Sequence, residues 1–577
     1  MRAPSILRLF ACGLAVSASA PAVTPVSDSV SDLLIYGSTP AGVAAAAAFR
    51  AAAGPAATIT MLDAGSRVGG MCASGLGNSD VRTAGTLGGF AREFFLRNAR
   101  AYNASASEPL FLLEPHVAEG LFLATLAGAG VALVSGVQGV AAVARAGAAL
   151  TSVTTASGGT YPARYVIDAS YEGDVVGAAG LSFALGRESR AQYGEARAGR
   201  LGGNFTFLLP VSPYGAGGAL LPLMSPARFA GEGDGDGLLQ AYCFRLCVTN
   251  ISALRRPFPP PAAFAPAELE LFRRWVAASP PSLSSFFGYA FRIPGGGGAC
   301  CKFDLNSDFA LSFDLVGGSA RWPAANASER RAIWEAHRQY ALALIHELQF
   351  GAATPPAVRA QAQQWGLCAD EFGETGGWPP QLYVREARRL VGGAVFTALQ
   401  LDAGVAPRGD SVGLGSYAAD VHHVERVPCV LRAGPPPAGP FPGPFPPHAA
   451  ACDMLQPDAR PPPNATVWVA AEGHAGDISA PNFVFEMPYS LLLPQRAQAT
   501  NLLAPTTPSA SHVAFNSIRM EPQFMILGQA AGAAAALALG ARGAVQDVSV
   551  PALQAELQRQ GARLHWPPAQ ADSVPAG

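Results

Sequence analysis

The stretch "DLLIYGSTPAGVAAAAAF", residues 32–49, constrains the fold more than any other. An apolar, β-prone run ends at Gly37, and a run of good helix formers begins at Pro40 and stops at Gly54. A second apolar run, "TITMLD", closes on Asp63. Strand, tight turn, helix and strand in such quick succession predict a βαβ unit, and with it a parallel sheet covered on its faces. Gly37 and Gly42 stand at the first and third glycines of a G-x-G-x-x-G turn, with Thr39 in the middle place. Asp63 lies 21 residues beyond Gly42, where a carboxylate reaches a ribose hydroxyl. Pro40 fits the first helical turn, where its missing N–H costs nothing. The helix N-terminus offers amides and a positive dipole end to a phosphate. Thr39 must turn its side chain aside, and the expectation is that it offers its hydroxyl to that phosphate.

The chain has 577 residues, enough for roughly two to four structural units. Half of it is hydrophobic, which is ample for a large core. A net charge of −2 gives no basis for a nucleic-acid or anionic-membrane partner. Lys302 is the sole lysine. The N-terminus carries Arg2 and Arg8, a short apolar stretch and an Ala18-Ser19-Ala20 site. It reads as a secretory signal cleaved after Ala20, too short to span a membrane. The apolar stretch 524–540, with Gln529 and many small residues, reads as a buried helix. Five N-x-S/T sequons, at Asn103, Asn204, Asn250, Asn326 and Asn464, agree with export and glycosylation. Of nine cysteines, loss of the signal leaves eight, an even number suited to disulfides. Cys429 and Cys452 flank a proline-rich insert and are the first expected pair. No C-x-x-C pair occurs, so no zinc or other metal is expected.

Just past the acidic strand end comes "AGSRVGGMCASGLGNSD", with Arg67-x-Gly69-Gly70. Further blocks are "YVIDASYEGDVVGAAG" (165–180), "DEFGETGGWPPQLYVREARRLVGG" (370–393) with "GSYAADVHHVER" (415–426), and "NLLAPTTPSASHVAFNSIRMEPQFMILGQAAGAAAALAL" (501–539). Together they resemble the FAD-dependent oxidoreductases of the glutathione-reductase-like superfamily, flavoproteins with two dinucleotide-binding domains, over residues 32 to about 560. The resemblance includes threonine in place of the middle glycine. It implies an α/β fold: a discontinuous Rossmann-like FAD-binding domain, 30–190 and 465–577, with an inserted mixed α+β substrate or cap region, 191–464, that carries a proline-rich loop, 432–463. It implies FAD held without a covalent bond by Gly37, Thr39, Gly42, Asp63, Arg67, Gly69, Gly70 and Met71, and by Ser511 and Gln529 from a 509–532 segment at the isoalloxazine. A redox disulfide of the C-x-x-x-x-C kind is absent, because position 77 is glycine. Cys72 therefore reads as a small buried residue, with a flavin-adjacent thiol or covalent link as the alternative.

A flavin supplies hydride chemistry and leaves the protein to bind, orient and move protons. Histidine is the commonest base for that work. His422, His423 and His512 lie in the resembling blocks, and His423 and His512 are the expected catalytic pair. Arginine presents a fixed fork of donors to a carboxylate or polyol. Arg385 and Arg519 are the expected site arginines, with Arg388 and Arg245 behind them; each serves equally as half of a buried ion pair. "KFDLN", with Lys302, Asp304 and Asn306, resembles a family segment that reaches the site, and reads otherwise as a polar loop. The expected function is a secreted FAD-dependent oxidoreductase taking a hydride from a small sugar-like or organic-acid substrate to flavin N5. The alternative is a redox-neutral lyase or isomerase acting on carbohydrate. Oxygen is the convenient electron acceptor outside the cell, and nothing selects it over a quinone or dye-like carrier.

Overall fold

A computed structural model describes residues 29–566, except 106, 202–206, 210, 263–265, 279–290, 294–301, 306–310, 404–408, 432–451, 463–464 and 473–483. The expected signal, the sequons at Asn204 and Asn464, Asn306 and most of the proline-rich loop lie outside these residues.

The predicted βαβ unit is present as β1 (Ser31–Tyr36), α1 (Pro40–Ala53) and β2 (Ile59–Asp63). β1 pairs in parallel with β2 on one side and with β6 (Thr160–Asp168) on the other. β3 (Ala132–Ser135) extends the sheet beyond β2, again in parallel. The short strand Leu502–Leu503 lies parallel to the end of β6. The hairpin β4 (Val140–Ala146) and β5 (Ala149–Thr155) pairs antiparallel with the start of β6. Leu33, Leu34 and Ile35 are fully buried, as a strand covered on both faces requires. The register sets Tyr36 beside Leu62 and Asp168, so the carboxyl ends of β1, β2 and β6 come to one edge. That edge is where open parallel sheets bind ligands.

The buried helix Glu521–Ala541 has the length and composition of a membrane span, yet 78% of its apolar window is buried inside the molecule. It packs on α1 at unusually close range. A Cβ on Gly528 would overlap the Ala41 carbonyl oxygen, and one on Gly532 would overlap that of Ala45. Residues four apart share one face of a helix. Two glycines on one helix therefore face two alanines on the other, and backbone meets backbone.

The inserted region contributes two antiparallel sheets. Arg255–Arg256, Gly366–Cys368, Leu246–Thr249, Lys302–Leu305 and Phe291–Ile293 form the first, in that spatial order. Cys452–Met454, Glu425–Leu431, Val467–Glu472 and Phe207–Leu209 form the second. Residues 467–472 pair only within this second sheet, and Leu502–Leu503 is the later strand that pairs with the parallel sheet. The long helix Ala327–Phe350 starts where Asn326 and Glu329 close a reciprocal capping box.

One disulfide lies outside the expected pair. Cys247 and Cys368 form a disulfide across neighbouring strands, 121 residues apart in sequence. Cys429 is disulfide-bonded. The register sets it opposite Met454, with Cys452 opposite Leu431, and the Cys452 side chain lies outside the described ones. Cys72 and Cys243 are free and buried.

Candidate functional site

The turn after β1 is closed around backbone. Gly37 has φ +104, and a Cβ there would come within 2.6 Å of the Ala169 carbonyl oxygen. A Cβ on Gly42 would overlap the Gly37 carbonyl. Thr39 caps α1 by accepting from the Gly42 amide, and its hydroxyl donates to the Ala169 carbonyl at 2.8 Å. The expected hydroxyl–phosphate contact is therefore corrected: the side chain turns toward β6 and leaves only backbone at the mouth of the turn. Asp63, at the tip of β2, accepts from the Ser38 hydroxyl and from the amides of Ser38 and Gly65. Burial raises its pKa despite these bonds.

Gly69 and Gly70 both have positive φ. Gly69 lies against the Phe122 ring and Gly70 against the Tyr171 hydroxyl, with no room for a side chain at either. The Arg67 guanidinium does not point to an open turn: it pairs with Glu119 at 2.9 Å and Glu374 at 2.8 Å and lies over the Phe372 ring. The Met71 amide donates to the Tyr171 hydroxyl at 3.1 Å, and that hydroxyl donates to Glu521. Burial pushes the Glu521 carboxyl up to about 8, so it is protonated at neutral pH. Its Oε2 is buried and has no hydrogen-bond partner. Cys72 is fully buried beside it, with a thiol raised well above its usual range by burial and by Glu521. That environment keeps the thiol protonated and inert.

These features fit a bound dinucleotide. Glycines bring backbone to the carboxyl edge of the sheet, a carboxylate ends the neighbouring strand, and an orphaned carboxyl oxygen sits in the first turn of the helix against α1. Gly37, Gly42, Asp63, Gly69, Gly70 and Met71 would hold such a group. Ser511 and Gln529 have other work. The Ser511 hydroxyl donates to Glu195 and caps the helix His512–Ile518. Gln529 accepts from the Phe90 amide at 3.0 Å and reaches Gln560, bracing two outer helices.

A second polar cluster lies nine residues beyond Met71. The Gly77 amide donates to Asp304 at 2.8 Å, and Asp304 pairs bidentately with Arg245. The amides of Arg82 and Thr83 donate to the Ser416 carbonyl and hydroxyl, respectively. Asp80 is thereby held between Arg245 and the segment that carries Tyr417. The guanidiniums of Arg245, Arg385 and Arg519 surround the Tyr383 ring at 5.7, 4.9 and 5.7 Å from its centroid. Arg519 pairs with Asp420 at 2.8 Å and donates to the Tyr383 hydroxyl at 3.1 Å. Arg385 pairs with Asp314 at 2.9 Å. His422 joins Asp314 at 2.8 Å and Asp420 at 3.4 Å. Burial and Arg385 work against protonated His422, but the two carboxylates prevail and raise its pKa.

His423 and His512, the expected catalytic pair, are both buried. His423 is fully buried, and its carbonyl accepts from the Ala241 amide. His512 is buried in a network with Glu386, Arg389 and Glu188, and burial, then Arg389, push it down to about 3. Arg385 is fully buried. Of the residues named from the sequence, Arg519, Arg385, Arg245, Asp304 and His422 meet in the cluster. Asp80, Tyr383 and Tyr417 were missed; Asp80 ends the block "GLGNSD" that follows the double glycine.

Among the described residues one group, Glu114, His116 and Glu371, brings three metal-ligating atoms within 4.8 Å of one another. The Lys302 ammonium already answers it, in contact with Glu114, with Asp370 at 2.5 Å and with Glu371 at 3.6 Å.

The sequence matches the family described as FAD dependent oxidoreductase over residues 32–557. No curated protein matches it. Solved structures match in part. AlpK is 19% identical, with a TM-score of 0.19 over 32% of this chain and 42% of that one. The p-nitrophenol 4-monooxygenase PnpA from Pseudomonas putida DLL-E4 is 16% identical, with a TM-score of 0.20 over 28% and 45%. The L-proline dehydrogenase from P. horikoshii is 12% identical, with a TM-score of 0.22 over 29% and 59%. The chain spans less than half the length of the first two. The assignment rests on the family match and on the glycine-lined sheet edge: this chain belongs to the FAD dependent oxidoreductases.

Proposed function

We propose that the protein is a secreted enzyme that oxidises a small hydroxylated compound, passing a hydride to flavin N5. FAD supplies the two-electron acceptor. The protein's part is to bind the substrate, exclude water and receive a proton. The observation that carries this reading is the cluster of Asp80, Tyr417, Tyr383, Arg245 and Arg519. It combines acid–base groups and fixed donors on a segment that continues from the Gly69-Gly70 turn. Asp80 and Tyr417 are only partly buried, so the cluster is open to a small molecule.

Export is supported by the disulfide Cys247–Cys368 and by three sequon asparagines, Asn103, Asn250 and Asn326, which are all exposed.

The test is an absorbance spectrum of the purified protein before and after anaerobic addition of sugars and organic acids. Flavin bands near about 370 and 450 nm are expected, with the longer band bleached by one substrate class. Bands that no compound bleaches would favour the redox-neutral reading. No bands after FAD is added back would overturn cofactor binding itself.

A further inference from the structure

Among the described residues, no hydrogen bond reaches the Asp80 carboxylate, the Tyr417 hydroxyl or Nη1 of Arg245. None of the three is among the sealed, orphaned atoms, so each keeps accessible surface. Their neighbours differ. Arg245 is matched by Asp304, Arg385 by Asp314 and Arg519 by Asp420. With every guanidinium paired to its own carboxylate, the cluster has no surplus positive charge to offer an anion. What it offers is one acceptor, one donor and one group that does both, all near each other. The backbone brings them together: the Arg82 amide, two residues past Asp80, donates to the carbonyl of Ser416 next to Tyr417, and the Gly77 amide, three residues before Asp80, donates to Asp304, the partner of Arg245.

We propose that Asp80, Tyr417 and Nη1 of Arg245 form the subsite for adjacent hydroxyl groups of a neutral sugar or polyol, with Asp80 taking the proton of the hydroxyl that is oxidised. This rests on the oxidoreductase reading above and narrows it from hydroxylated compounds in general to uncharged ones. The step balances. The O–H bond breaks and its proton passes to the Asp80 carboxylate. The carbinol C–H bond breaks and leaves as hydride to the family's FAD. The substrate gains a C=O bond and loses two electrons, which FAD takes up. Tyr417 and Arg245 hold the substrate oxygens and so are binding groups.

The base must be ionised to work. Asp80 is pushed up to about 6, by burial first, with Arg245 and Arg519 opposing and Asp420 and Asp304 adding to the rise. Tyr417 and Tyr383 also face it. Reduction of the flavin should therefore slow as pH falls through about 6, and that acid limb should vanish in D80N.

The experiment uses the FAD-loaded full chain with D-mannitol, D-glucose and D-gluconate as probes. Stopped-flow bleaching of the flavin and saturation-transfer NMR of the probe are read in parallel, for the wild type, D80N and Y417F. The expected result is that a neutral probe bleaches the flavin faster than gluconate does. D80N should bind that probe within threefold of wild type but bleach about 10²–10⁴-fold more slowly. Y417F should weaken probe binding severalfold with flavin loading intact. Preference for gluconate, or bleaching by D80N at the wild-type rate, would overturn the inference while leaving the oxidoreductase reading standing. A loaded flavin that none of a wider substrate panel bleaches would instead overturn that reading.

Discussion

At Thr39 one residue settles whether a turn that lacks its middle glycine can still work. A side chain there need not block a pyrophosphate if it points elsewhere, and its hydroxyl is held by the Ala169 carbonyl. The pattern G-S-T-P-A-G announced the turn, but the direction of the side chain was not legible, because Ala169 lies 130 residues away. Glu521 is a similar case. In the sequence it is an ordinary first-turn acid. In the fold it is a neutral one, since burial outweighs the bond from Tyr171. Its ionisation makes stability fall with rising pH. The folded state holds the proton up to about pH 8, and the unfolded chain releases it near about 4.3. The contribution is therefore present in full below about 4.3 and lost as pH rises toward 8, with a slope of up to about 1.4 kcal/mol per pH unit. E521Q should flatten that slope between pH 5 and about 8 in denaturant titrations of the FAD-loaded protein. An unchanged slope would mean that Glu521 is ionised in the folded state.

At the scale of elements, the contact between α1 and the helix Glu521–Ala541 governs the site. Both present their N-termini at the carboxyl edge of the sheet, and small residues set how close they come. The alanine-rich composition made both helices legible, and the glycines marked a close approach. Which carbonyls they approach was not legible, because that depends on register between segments hundreds of residues apart. The glycines of this one helix should behave in opposite ways. At Gly532 a methyl group meets the Ala45 carbonyl oxygen, a backbone atom that cannot swing aside. G532A should cost more than about 2 kcal/mol, as overpacking of a tight interior does, and should reduce FAD retention. Gly540, in the same helix, has open space where a Cβ would stand. G540A should stabilise by about 0.5–1 kcal/mol through helix propensity alone. Paired melting curves of the two variants read the difference. Equal effects would mean that the helices are not in backbone contact.

For the whole molecule, the question is what holds the inserted region over the nucleotide-binding domain. The sequence marked the inserted region by its proline-rich and irregular composition but gave no sign of how it docks, since ion pairs between distant segments leave no local pattern. The sole lysine is central to that docking. Lys302 lies on a strand of the inserted region, while Glu114 precedes a helix of the nucleotide-binding part, and Asp370 and Glu371 follow the disulfide-held strand Gly366–Cys368. A few residues on, Glu374 and Phe372 engage Arg67 beside the double-glycine turn. One ammonium thus balances carboxylates from both parts of the chain. K302M should leave Glu114 and Glu371 buried without that cation, which typically costs about 3–5 kcal/mol. The double variant K302M/E114Q should recover part of that loss in denaturation midpoint, because one of the unpaired buried charges goes with the lysine. A double variant no more stable than K302M would assign the lysine a packing role through its aliphatic stem and not the electrostatic one argued here.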